Sequence, residues 1–193
     1  MYENCDAMLY QEDTMAKRFI MTAFAKDRPG LVADITKVIY ENGCNLEDTE
    51  MTQLEDEFVI MLLFTGESKD LMDQVEKDCR RLEKEKGISA FVRELGEETF
   101  KPPKDTAIYS IHAEGADQAG IVYKISNFLA RNSFNILKLL SRKIPSPQSG
   151  TPYYTVEIKI QVPKETSLDE LEQGLSELGD QMHIEFNIDK NKL

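Results

Sequence analysis

Lys26-Asp27-Arg28-Pro29-Gly30-Leu31-Val32 recurs ninety positions later as Ala116-Asp117-Gln118-Ala119-Gly120-Ile121-Val122. Carried forward at the same offset, Ile35 falls on Ile125, Val38 on Phe128, Ile39 on Leu129, Asn42 on Asn132 and Asn45 on Asn135. Carried back, Phe19 meets Tyr109 and Met21 meets Ile111. Matches of such distinct chemical character in one register mark two copies of one unit.

Each copy reads the same way. Phe19 to Lys26 and Ala107 to Ala113 are short, apolar first strands. An Asp-x-x-Gly turn follows, and Pro29 suits the entry to a helix, where its missing N–H would be unpaired anyway. Leu31, Ile35, Val38 and Ile39, and their counterparts Ile121, Ile125, Phe128 and Leu129, fall on one helical face. Asn42-Gly43 and Asn132-Ser133 stop these helices. The next strands are Asn45 to Leu54, polar and partly exposed, and Glu57 to Thr65, nearly all apolar and therefore central. The second copy has Asn135 to Arg142 and Tyr153 to Val162, separated by the Pro- and Gly-bearing turn 143–152. Second helices carry Leu71, Val75, Cys79 and Leu82, and then Leu171, Leu175 and Leu178 behind a capping box at Ser167 and Glu170. Closing strands run from Ile88 to Leu95 and from Met182 to Ile188.

The order βαββαβ, twice, predicts an α+β chain of two ferredoxin-like domains, each a four-stranded antiparallel sheet with two helices on one face. The expected boundaries are an arm at 1–17, a first domain at 18–95, a linker at 96–106, a second domain at 107–189 and a tail at 190–193. Open faces and edges remain for the sister copy or for another chain.

Composition narrows the function. Of 193 residues, 41% are hydrophobic and 30% charged, ordinary for a soluble folded protein. The longest apolar run, Phe58 to Phe64, is far short of the roughly 20 residues that span a bilayer. The N-terminal stretch lacks the basic start and apolar core of a secretory signal. Cys5, Cys44 and Cys79 are odd in number and show no CxxC spacing, which points to a reducing, cytoplasmic setting and away from a zinc site. A formal net charge of -12 disfavours direct nucleic-acid or membrane binding.

Asp-Arg-Pro-Gly-Leu-Val at a strand–helix junction, with Asn-Leu opening the second strand, resembles the ACT domain. Two such units and little else resemble the glycine cleavage system transcriptional repressor family, over Arg18 to about Asp189. The resemblance implies a small amino acid ligand, of glycine or serine type, bound at a domain interface. It also implies a protein partner such as a transcription regulator, a homo-oligomer, and no cofactor. The implied ligand-binding positions are Asp27, Arg28, Pro29, Gly30 and Leu31, with Asn45 facing the loop across the turn. In the second copy they are Asp117, Gln118, Ala119, Gly120 and Ile121, with Asn135. There Gln118-Ala119 replaces Arg-Pro, which leaves room for a single or asymmetric site.

Elementary chemistry favours such a loop independently. Glycine permits close backbone approach, N–H groups at a helix start suit a carboxylate, and Asp or Asn accepts from an ammonium group. At about 1.5 kcal/mol per heavy atom at most, so small a ligand binds on the order of micromolar or weaker. Duller roles stand beside these. Asp27 and Asp117 can cap their helices, Gly30 and Gly120 can serve helix–strand packing, and Asn45 and Asn135 can be turn residues. His112 and His183 sit in predicted strands with no ligand-spaced partner, so no metal site is expected. The acidic group Glu47, Asp48, Glu50, Glu55, Asp56 and Glu57 reads as a solvated surface, and Cys44 as a small apolar residue. No catalytic motif occurs, so no enzyme is expected. ACT copies also precede catalytic domains in phosphoserine phosphatases and formyltetrahydrofolate deformylases; with Leu193 as the last residue, no such domain is expected here. The competing reading is a structural or oligomerisation module that acts by protein–protein contact without a ligand.

Overall fold

A computed structural model describes residues 16–96, 105–145 and 152–190. Most of the expected arm and linker, the middle of the 143–152 turn and the end of the tail lie outside these residues. The chain divides into two units, Met1–Phe100 and Lys101–Leu193.

In the first unit the elements are β1 (Lys17–Lys26), α1 (Leu31–Glu41), β2 (Asn45–Leu54), β3 (Glu57–Gly66), α2 (Leu71–Lys86) and β4 (Ser89–Leu95). The strands lie in the order β2-β3-β1-β4, with every neighbouring pair antiparallel. The alternating residues Phe19, Met21 and Ala23 of β1 and Phe58, Ile60, Leu62 and Phe64 of β3 point to the helix side. Leu31, Ile35, Val38 and Ile39 of α1, with Leu71, Val75, Cys79 and Leu82 of α2, close that core. Phe19 and Phe64 face each other in the β1–β3 register and stack with ring centroids 5.5 Å apart. The Asn42 amide donates to the Val38 carbonyl and to Asp78 Oδ2, both at 2.8 Å, so the helix stop also ties α1 to α2.

The second unit repeats the plan: β5 (Thr106–Ala116), α3 (Ile121–Arg131), β6 (Asn135–Pro145), β7 (Pro152–Pro163), α4 (Leu168–Met182) and β8 (Ile184–Lys190). Its sheet order is β6-β7-β5-β8. Ile111, Ile125, Leu129, Val156, Ile158 and Ile160 fill its core. The expected fold class is the observed one: two ferredoxin-like α+β units. Even the irregularity is duplicated. The edge strands β2 and β6 shift register between Leu46 and Asp48 and between Ile136 and Lys138, ninety positions apart.

Two local expectations are corrected. Met182 belongs to α4 and not to the closing strand, because it continues the buried stripe of Leu171, Leu175 and Gly179. His183 then takes φ 53 and ends the helix, so it lies outside any strand. Ser167 is the N-cap residue of α4 but makes no side-chain capping hydrogen bond, so the capping box does not form.

The sheet faces turned away from the helices differ. In the first unit this face carries Ile20, Phe24, Met61, Leu63 and Phe91, and Phe24 stacks on Phe91 at 6.2 Å. In the second unit it carries Ser110, His112, Glu114, Glu157, Lys159 and Gln161. No helix among the described residues is long and apolar enough to cross a membrane.

Two predictions follow from the packing. A Cβ added at Gly179 would lie 2.5 Å from the Ile184 carbonyl oxygen. Gly179→Ala is therefore expected to lose about 1–3 kcal/mol in a urea titration, despite the gain in helix propensity. The Cys79 thiol is pushed up to about 11, chiefly by burial and then by Asp78 and Glu76. Alkylation near pH 8 should modify it only after unfolding, as read by intact mass.

Candidate functional site

In the first unit, four residues separate β1 from α1. Gly30 is the N-cap of α1 with φ 87, a left-handed conformation that costs an L-side chain roughly 1 kcal/mol or more. A Cβ there would meet nothing nearer than Arg28 Nη1 at 4.0 Å, so backbone conformation and not helix–strand packing requires the glycine. No side chain caps α1. Asp27 therefore does not serve as a cap, and the first-turn amides that lack an intrahelical acceptor are not covered by it.

Asp27 is held by the β2–β3 hairpin instead. Its N–H donates to the Asp56 carbonyl at 2.8 Å, and Gln53 Nε2 donates to its Oδ2 at 3.1 Å. Arg28 turns toward α1 and donates to Asp34 Oδ2 at 2.7 Å, and Lys86 at the end of α2 pairs with the same carboxylate. Hydrogen bonds from Lys86 and then Arg28 hold the Asp34 carboxyl below its ordinary value of 3.8. Pro29 and Gly30 are exposed. Leu31 is only 2% exposed and points into the core, so at most its backbone faces the loop; its N–H already donates to the Arg28 carbonyl at 3.3 Å.

The second corner has the same backbone and a different charge pattern. Gly120 takes φ 88, α3 likewise lacks a side-chain cap, and Ile121 is buried. The Asp117 N–H donates to the Pro152 carbonyl at 3.3 Å, again a hairpin contact. Lys143 Nζ lies 2.6 Å from Asp117 Oδ2. Gln118 donates to the Met182 carbonyl, and Ala119 is exposed. Asp117, like Asp27, is not a cap.

Asn45 and Asn135 do not face these loops within their own units. Asn45 pairs with Thr65, which lies opposite Arg18 at the start of β1, whereas the loop follows Lys26 at its end, opposite Glu57. Eight residues of strand, roughly 26 Å, separate the two. Asn135, paired with Gln161 opposite Ile108, is equally remote from Asp117. Both β1 and β2 run antiparallel to β3 and hence parallel to each other, so their starts share one end of the sheet.

Of the acidic group, Glu47 is clamped by Arg18 at 3.1 Å and Asp56 pairs with Lys26 at 3.2 Å. Cys44 packs at the rim of the first core, and burial raises its thiol. Sequence reasoning passed over Gln53, Asp34, Lys86 and Lys143. The ninety-residue offset carries Gln53 onto Lys143 and Asp34 onto Lys124, but it does not say which side chain each of them reaches. It also passed over a depression of about 560 Å³ on the first unit's open sheet face, beside Arg18, Ile20, Met61 and Leu95. Its trace in sequence is β3, apolar on both faces, against the alternating β7.

The fold is a pair of ferredoxin-like units, each with a glycine corner, and the ACT domain family profile, that of a regulatory class of module, matches residues 17–93. A UPF0237 protein of Methanopyrus kandleri is 31% identical over 77 residues, which cover 39% of this chain and 86% of that protein. The chain belongs to the ACT domain family. Over its length it is similar to the glycine cleavage system transcriptional repressor of Escherichia coli (strain K12), with 22% identity over 169 residues, 88% of this chain and 87% of the relative. Two solved structures share the fold. One is an unknown protein from Galdieria sulphuraria (TM-score 0.75, 22% identity, 92% of this chain and 100% of that one). The other is described as a putative glycine cleavage system transcriptional repressor (TM-score 0.65, 20% identity, 92% and 99%).

The Asp34 cluster yields a pH prediction. A carboxyl whose value is lowered on folding adds stability above its unfolded value and loses it as pH falls through the lowered one. Asp34→Asn should flatten the decline in stability below 3.8, as measured by urea titrations across acid pH.

Proposed function

We propose that this protein is regulatory and not catalytic: it binds a small amino acid, of glycine or serine type, at an ACT-domain corner and passes its occupancy to a protein partner. The similarity to glycine cleavage system transcriptional repressors supports placing that partner in the transcriptional control of amino-acid metabolism. One observation carries the reading. At the first corner an uncapped helix start and the Asp27 carboxylate stand on either side of a left-handed glycine. That arrangement offers N–H donors to an α-carboxylate and an acceptor to an α-ammonium group, the two charges every free amino acid carries.

The exposed Phe24–Phe91 stack favours the second reading, in which the first unit's open sheet face holds subunits together whatever the metabolite.

Thermal denaturation with an amino-acid panel separates the two. A bound amino acid at about 100 times its Kd should add about 2.7 kcal/mol and raise Tm. Asp27→Asn, which can still accept from Gln53, should keep the unliganded Tm and lose the ligand shift. A panel that moves nothing, together with a constant oligomer in sedimentation, would favour the second reading.

A further inference from the structure

We infer that the two glycine corners are not equivalent: the first takes a zwitterionic amino acid, and the second is closed to it by its own Lys143. The inference rests on the reading just proposed and adds which copy binds and why.

Gln53 and Lys143 occupy the same place in the two copies, ninety positions apart and late in the edge strands β2 and β6. Each reaches from the hairpin to the aspartate that opens the loop. Gln53 does so with a neutral amide at 3.1 Å, so Asp27 is positioned without losing its charge. Among the described residues Asp27 has no ion-pair partner; Arg28, next to it, is taken by Asp34, and Lys26 by Asp56. Lys143 reaches Asp117 with an ammonium group at 2.6 Å, which is the chemistry the ligand's own ammonium would supply. A second cation arriving there must displace the first or sit against it, and like charges juxtaposed in a site weaken binding strongly. Arg28, which Asp34 engages in the first copy, is matched by the neutral Gln118, so Lys143 is the cation that the second loop's aspartate meets. Gln118 itself turns away to the Met182 carbonyl.

The test is reciprocal and uses the full chain. Both exchanged residues are exposed on edge strands, so folding should tolerate either substitution. Equilibrium dialysis with each common amino acid at up to about 10 mM spans affinities from micromolar to millimolar. Wild type should take one equivalent per chain. Gln53→Lys, which installs a lysine opposite Asp27, should weaken that binding by about tenfold or more. Lys143→Gln, which gives the second corner the first one's amide, should add a second equivalent. Two equivalents of similar affinity in wild type, unchanged binding in Gln53→Lys, or a single equivalent in Lys143→Gln would each overturn the inference while leaving the sensing role intact. No binding by wild type or either variant would overturn both.

Discussion

Each unit depends on a change of direction completed in four residues. A strand buried on its helix side must hand the chain to a helix packed on the same sheet, and in both copies a glycine with φ near +88 makes that turn. Any other residue there works against the steric preference of L-amino acids. Once the turn is made, Leu31 and Ile121 drop into their cores and fix the helix phase, and the stripes behind them follow. The same geometry leaves the helix start uncapped and the preceding aspartate within reach of the hairpin. The corner that folds the module is thus also the corner proposed to hold a ligand, so stability and the proposed recognition would share the same few backbone atoms.

The fold was legible because it is written twice. A helical or strand periodicity that is ambiguous in one copy becomes firm when Ile35 and Ile125, or Met21 and Ile111, agree in register. Where the reading slipped, two patterns competed. Met182 fits both an alternating strand and a four-residue helical stripe, and its place on the core-facing stripe of α4 decided it. Ser167 and Glu170 have the right spacing for a capping box, but spacing does not set side-chain direction.

The candidate site was legible only in part. The loop residues are local, so the motif located them. Their hairpin partners, Gln53 and Lys143, come from a separate strand and are identified by tertiary placement. The displacement of Asn45 and Asn135 was derivable: a βαβ path with β3 between the two strands makes β1 and β2 parallel, so the start of β2 cannot lie by the end of β1. What no periodicity discloses is that one copy positions its aspartate with an amide and the other with a cation.

The shared bulge in β2 and β6 has a consequence for how these modules can diversify. Every residue of β2 is exposed, so hydrophobic alternation does little to stop that strand sliding by one position. The extra residue between Leu46 and Asp48, with Glu47 gripped by Arg18, acts as a mechanical key that seats the strand in one alignment. With alignment secured by a single notch, the remaining outer side chains are released from that duty. Natural variation can rewrite this margin, and with it the molecules it meets, while the interior stays as it is.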